Sequence, residues 1–502
     1  MKKRGLAALM AAMLLLVACA GETTEENEAV LPTEPSIEQP VSAEAAAEVS
    51  LVLACGRELG EVHPAKLQDV SSSLVPLLYE SLVSVDNSYR WSGELAEEIT
   101  QNGLNYTVVL REAVFSDGST VRAADVVNSM EAAMEEGSLW QNELSIVEDC
   151  VVLTANMIRI TVTELRPDFE NLLTFPVVKV QNNGNYLGSG QYVLNREDSD
   201  RPFLEQNPNF HGAVSGPETI ALNRQPNSDT LYDSLRIGRI SCLFDDLSSG
   251  EAMNLSENSQ IAEIGHLVFL GANGQKGIMA DAGVRRAVSV SIDRQLLVDR
   301  VYASKAAATE TPFHPNYYRM EGYSLPTLSM DGARQLLEAA GLAKNQEGYY
   351  SNEEQSSLRL LYNSENAYRF QAAELIQQQL GALGLLVELV PLNYEDYMAA
   401  LKDGDFDLYL GELAIDASMD VRRLFQQGEG YGYGSVSSTL DNIYASYQQG
   451  NAKAELVAGV YWQQMPAIPL LYRQGTVIYH EQVAETMESL PGQPFAAVLS
   501  GQ

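Results

Sequence analysis

The chain has little from which to build reactive chemistry. Its 502 residues include five histidines, four cysteines and three tryptophans. His63, His211, His266, His314 and His480 stand singly, none with a second histidine or cysteine within four residues, so the spacing of a zinc site is missing. No G-x-S-x-G, H-E-x-x-H or Walker loop occurs, which leaves an enzymatic reading without nucleophile, metal or phosphate cradle. We expect no catalysis, cofactor or metal. Cys55, Cys150 and Cys242 are too few and too far apart for a disulfide scaffold; three thiols is the favoured reading, with one bridge left open. Positive charge is scarce too, with 32 Lys and Arg against 67 Asp and Glu, a formal charge of −35. Such a surface repels nucleic acid and anionic headgroups. Past the leader no apolar run approaches 18 residues, so nothing else in the sequence reads as a membrane span.

The leader itself is distinctive. Lys2, Lys3 and Arg4 precede an apolar stretch that ends in Leu16, Val17, Ala18 and Cys19, the order of an export signal and too short to cross a bilayer. The quartet resembles the bacterial lipobox, whose cysteine is acylated and becomes the mature N-terminus. A plain secretory signal containing a cysteine is the alternative. Losing the leader takes the formal charge from −35 to −38. Residues 20–48 then hold eight glutamates and three prolines with no Lys or Arg, a solvated acidic tether that cannot form a core. The expected segments are a signal peptide over 1–18 and a tether over 19–48.

The remaining length favours about three domain-sized units. Leu104, Tyr106, Val108 and Leu110 alternate with Asn105, Thr107, Val109 and Arg111 as a half-buried strand, and similar alternation around 151–163 and 192–205 predicts mixed sheet in the first half. In the second half a strand over 358–362 leads to Phe370, Ala373, Ile376, Leu380 and Leu383 on one helical face, ended by Gly384. An apolar stretch over 385–392, a helix over 394–402 ended by Gly404, and a strand over 406–411 follow. Strand, helix, strand, helix, strand predicts a parallel α/β sheet. The glycine strings 188–190 and 428–434 read as turns, and Asp403, Asp405 and Asp407 as a solvated face.

A series of short strings then points further: Leu77-Leu78-Tyr79-Glu80-Ser81-Leu82-Val83, Phe115-Ser116-Asp117-Gly118, Gly188-Ser189-Gly190-Gln191-Tyr192, Glu205-Gln206-Asn207-Pro208, Val284-Arg285-Arg286-Ala287 leading to Ile292-Asp293-Arg294, Asp331-Gly332-Ala333-Arg334, Phe406-Asp407-Leu408 and Ile468-Pro469-Leu470. In this order and spacing they resemble the family 5 extracellular solute-binding proteins, the peptide- and nickel-binding components of ABC importers. The resemblance implies an α/β, two-lobe periplasmic-binding-protein-like fold (type II, cluster C) with an extra α+β subdomain in the first lobe. The implied boundaries are residues 49–75, 175–265 and 468–502 for the first-lobe core, 76–174 for its subdomain and 266–467 for the second lobe.

The resemblance also implies a monomeric receptor that captures a small solute, an oligopeptide first of all, and hands it to importer permease subunits. It would touch the membrane only through its lipid anchor, on the outer face of the bacterial cytoplasmic membrane. Peptide binders of the family hold the ligand amine with an aspartate after the strand matching 406–411, beside a Gly-Trp. Here that stretch is Gly411-Glu412-Leu413-Ala414-Ile415-Asp416, so Asp416 is the first candidate for the amine, Glu412 the second, and the tryptophan is missing. Arg369, in the first turn of a helix starting near Glu365, matches a carboxylate-binding arginine; pairing with Glu365 is the alternative. Ser71 and Ser72 match the first-lobe loop lining the cleft, against a reading as helix caps. Tyr431 and Tyr433 are candidate aromatic walls, against a reading as a plain glycine loop. A non-transporting envelope lipoprotein of the same fold and a nickel or metal-chelate binder are the other functional readings.

Overall fold

A computed structural model describes residues 51–182, 184–198, 201–225, 230–248, 258–353, 355–426, 438–480, 483 and 486–499. Cys19, Tyr431 and Tyr433 lie outside the described residues. So do the acidic tether and the 428–434 glycine string.

The first lobe is built on a four-stranded sheet. Val52–Cys55 pairs parallel with Thr219–Arg224, which continues antiparallel to Phe203–Gln206 and Tyr192–Asn195. Leu53, Leu74, Leu78, Tyr192 and Ile220 form its core. An added antiparallel sheet, Ala96–Asn102, Asn105–Leu110, Met157–Val162 and Val147–Thr154, packs its buried alternate residues Tyr106, Val108, Leu110, Ile158 and Ile160 against the helix Ala123–Met134. The 151–163 alternation is thus a hairpin of two strands, and Leu104 sits in a turn with Gly103 and is exposed.

The second lobe carries the α/β pattern. Leu358–Asn363 pairs parallel with Val387–Leu392 and with Leu408–Ala414. Between them run the helix Ala367–Leu383, whose Ala373, Ile376, Leu380 and Leu383 are buried, and the helix Tyr394–Asp403. Gly384 at φ 105° and Gly404 at φ 67° terminate these helices in the left-handed conformation that glycine adopts without a Cβ clash. Phe370, placed on the buried face by spacing, is 43 % exposed.

Two long antiparallel strands, Ser259–Ala272 and Ala467–Tyr479, join the lobes. Residues 259–263 pair with 474–478, near Ala262, Val477 and Tyr479 in the first-lobe core; residues 266–271 pair with 467–473, inside the second-lobe cores. Ile468–Arg473, placed in the first lobe by the boundaries the resemblance implies, instead run along the second-lobe cores, because the strand crosses between cores in mid-course. The register shifts between Glu263 and His266. At that bulge Gly265 has φ 69°, and a Cβ there would stand 2.5 Å from the carbonyl oxygen of Ile415. Only glycine lets the two backbones approach.

The lobes also touch away from these strands. Val85 and Tyr89, from the hairpin of Val83–Val85 and Trp91–Gly93, enter a second-lobe core beside Phe313, Tyr317 and Tyr472. Asp168 accepts hydrogen bonds from Tyr317, Tyr318 and Arg319. Asn171 donates to the carbonyls of Tyr89 and Ala417. Cys55, Cys150 and Cys242 are free thiols.

Candidate functional site

Where the first lobe, the bulge and the end of the strand Leu408–Ala414 meet, they enclose a cavity of about 530 Å³. Ser72, Tyr79 and Trp140 line it from the first lobe, Ile264 and Gly265 from the bulge, and Ile415, Asp416 and Ala417 from the second lobe. A space walled by both lobes and floored by the strands that join them is where relative motion would enclose a solute.

Its titratable lining is mostly carboxyl groups. Glu80, Glu94, Glu143, Asp416 and Glu488 line it together with Arg111 and His211. Burial pushes the Glu80 carboxyl up to about 8; its Oε1 lies 3.4 Å from His211 Nδ1. Burial also raises Glu94, against the backbone N–H and hydroxyl of Ser81, which both donate to it at 2.9 Å. Glu143 is pushed up to about 8, by burial first and by neighbouring Asp416 second. Asp416 is raised by burial, with Arg166 opposing.

Asp416 is not free. Arg166 Nη1 donates to it at 2.9 Å, and Ser418 donates to its other oxygen through backbone and hydroxyl. Arg166 lies also 3.2 Å from Asp420 and 3.7 Å from Glu164. Arg422 bonds both Glu164 oxygens and both Asp420 oxygens. This network joins residues 164–166 to the second lobe, and Asp416 brings it to the cavity wall.

The other sequence candidates are placed differently. Arg369 and Glu412 are brought together, away from the cavity wall: Arg369 Nη2 donates to Glu412 Oε2 at 2.8 Å, while Arg473 and His266 Nδ1 converge on Glu412 Oε1. Burial works to raise Glu412, but the His266 hydrogen bond, Arg369 and Arg473 outweigh it and hold the carboxyl at about 2. Arg369 is thus committed to Glu412 rather than open to a ligand carboxylate, and it does not pair with Glu365, which instead accepts from Tyr394 N. Glu412 ties both crossing strands to the helix Ala367–Leu383 at the bulge. Ser71 is fully buried and accepts from Gly56 N; Ser72 faces the cavity. Neither serine caps the 3-10 turn Val70–Leu74, because Asp69 does. Sequence reasoning missed Glu143, Arg166 and Trp140. Only Trp140, as one of three tryptophans, carried a signal; the Arg166–Asp416 pair spans 250 positions. No group of three or more His, Cys, Asp and Glu suited to a metal occurs among the described residues.

Comparison with known proteins agrees with this geometry. The model of the bacterial extracellular solute-binding proteins, family 5, matches residues 74–433, and the chain belongs to that family. It is 24 % identical over 477 aligned residues to the probable deoxycholate-binding periplasmic protein YgiS of Escherichia coli, with 84 % of each chain covered. It is 25 % identical over 407 residues to the periplasmic murein peptide-binding protein MppA of E. coli, covering 70 % of this chain and 72 % of that one. Among solved structures, the unliganded open form of MppA superposes with a TM-score of 0.74 at 19 % identity, over 91 % of this chain and 96 % of that one. A nickel ABC transporter structure from Bacillus halodurans gives 0.72 at 20 % identity, over 89 % and 98 %. These likenesses establish the two-lobe fold.

Proposed function

We propose that this chain is the solute-capturing receptor of an ABC importer, that its solute is a short peptide, and that a lipid on Cys19 tethers it as a monomer to the outer face of the bacterial cytoplasmic membrane. The cavity walled by both lobes and by the bulge carries this reading. A cleft that closes on its contents suits a receptor that must release them again to a permease, and tethering raises its concentration there. Relatives that bind murein peptide and oligopeptide support the solute class. Asp416 and Ser72 are the ligand-facing residues of this reading, while Arg369, Glu412 and Ser71 position the strands around them.

Native mass spectrometry of freshly purified protein should find a peptide bound. Asp416→Ala should weaken binding of that peptide by roughly thirtyfold or more, the cost of truncating one member of a desolvated charge pair; an effect under threefold would remove Asp416 from the site. Cys19→Ala should leave the leader uncut and the protein unlipidated in detergent partitioning, and a normally shortened mutant in the detergent phase would refute the anchor. One observation favours a second reading, a non-transporting envelope lipoprotein. Glu412 stands where peptide binders of the family place a tryptophan, and it is bound into the strands. Absence of any solute-dependent uptake by a cell with an intact permease would favour that reading.

A further inference from the structure

An apolar side chain that the backbone holds uncovered on a cavity wall marks a place for something else to cover. Of the exposed large apolar side chains among the described residues, Leu139 alone lines the cavity between the lobes, and it is 49 % exposed. Its loop is fixed. Leu139 N donates to the Ala65 carbonyl at 3.0 Å, Gln68 Nε2 to the Gly137 carbonyl at 2.9 Å, and Trp140 N to Ser138 Oγ at 3.1 Å. Trp140, beside it on the same wall, donates its indole N–H to Thr174 Oγ1 at 3.2 Å, which leaves ring carbon to offer a solute.

The C-terminal hairpin of Met487–Leu490 and Gln493–Val498 lines the same cavity. Leu490, Pro491 and Pro494, at and beside its turn, are among the lining residues. The turn is docked where the strand Ser259–Ala272 enters the bulge: Gly492, at φ 71°, donates its N–H to the Glu263 carbonyl at 3.0 Å. Gln260 Nε2 donates to the Met487 carbonyl at 2.6 Å, and Gln191 Nε2 to that of Ala496 at 3.1 Å. Two hydrogen-bonded elements far apart in sequence, the 137–140 loop and this hairpin, thus each bring carbon surface to one space.

We infer that the 137–140 loop and the C-terminal hairpin determine specificity: Leu139, with Trp140, Leu490, Pro491 and Pro494, seats a bulky apolar side chain of the solute, so that the receptor selects apolar peptides over small or polar ones. The inference rests on the cleft being the solute site, and it narrows the solute within the peptide class. Water leaves Leu139 and the solute side chain when they meet, and covering a leucine-sized group raises affinity roughly ten- to a hundredfold. An amide side chain of the same size would give up its hydration to side chains that offer it carbon alone. An alanine is too short to cover Leu139.

Calorimetry of the full chain with trileucine, trialanine, triasparagine and the apolar steroid deoxycholate tests this. Trileucine should bind at least tenfold more tightly than trialanine or triasparagine, which share its charged ends. Leu139→Ala should cost trileucine fivefold or more and leave trialanine within twofold, whereas Leu139→Met should keep trileucine within threefold. Repeated at several temperatures, trileucine binding should show a negative heat-capacity change that Leu139→Ala makes smaller; this readout separates recognition from loss of fold, which an unchanged melting temperature checks independently. Leu490→Ala should act in the same direction from the hairpin. Trileucine bound no more tightly than the other two peptides, or bound equally by wild type and Leu139→Ala, overturns the inference while the peptide reading stands. Deoxycholate bound in place of every peptide, and weakened by Leu139→Ala, supports the apolar seat and removes the peptide reading. Deoxycholate bound alone and unaffected by Leu139→Ala, or no binding of any of the four, overturns both.

Discussion

Single carboxyl groups set how this protein responds to pH, and they pull in opposite directions. Glu412, held at about 2 against an ordinary value near 4.5, adds stability that is complete above about pH 4.5 and is lost as pH falls toward 2. Glu80 and Glu143, held up at about 8, work the other way: their protonated forms suit the fold, so their stabilising effect is complete below about pH 4.5 and disappears as pH rises through 8. Each such group costs up to about 1.4 kcal/mol per pH unit within its window. Ligand-free protein should therefore be most resistant to urea near pH 5 and lose resistance on both sides. Glu80→Gln should flatten the alkaline limb and Glu412→Gln the acid limb, the latter with a lower denaturation midpoint at pH 7 because Arg369 and Arg473 would lose their shared anion. A stability profile that rises steadily from pH 5 to 8 would contradict these assignments.

At the level of strands and helices, the bulge concentrates the strain. Gly265→Ala must accommodate both a φ of 69° and a Cβ 2.5 Å from a backbone oxygen, which costs on the order of 1–3 kcal/mol. The neighbouring ladder cannot yield without moving Ile415 and Asp416, so solute affinity should drop by more than tenfold even where the mutant remains folded, as measured by calorimetry beside a urea titration. Gly341→Ala, where nothing stands within 4 Å of the added Cβ, is the control for left-handed strain alone and should retain affinity. Elements of this kind were partly legible beforehand. Gly384 and Gly404 announce helix ends because the left-handed conformation favours glycine, and the 358–411 alternation of strand and helix is local. Leu104 and Phe370 misled because periodicity says which face is apolar but not where the neighbouring element stops covering it. The site resisted more. Glu143, Arg166 and Asp416 meet only through folding, and in a chain with 67 acidic residues no local pattern separates a carboxylate in a cavity from one in solvent. Arg369 was expected from the resemblance to be open to a carboxylate, but Glu412, forty-three positions away, occupies it.

For the molecule as a whole, Asp168 and the Arg166–Arg422 network hold residues 164–171 to the second lobe, on top of the two crossing strands. Relative motion of the lobes must either strain or rearrange these contacts. Asp168→Ala leaves Arg319 and the Tyr317–Tyr318 pair without their anion, and should enlarge the radius of gyration of ligand-free protein in small-angle scattering. Adding a bound peptide should shrink the wild type, and an unchanged radius in both experiments would describe a locked molecule. The second crossing strand has one more consequence, in time rather than in space. All thirteen residues of Ala467–Tyr479 are buried, and they pair with Cys242–Asp245, Ser259–Ala272 and Ala306–Ala308. A chain emerging N-terminus first thus lacks the strand that pairs with three others in its largest sheet until residues 467–479 arrive, and long-range pairing of this kind is slow to form. Synthesis can run past residue 460 before the sheet closes, which keeps the growing polypeptide threadable and makes the arrival of residues 467–479 the trigger for folding of this sheet.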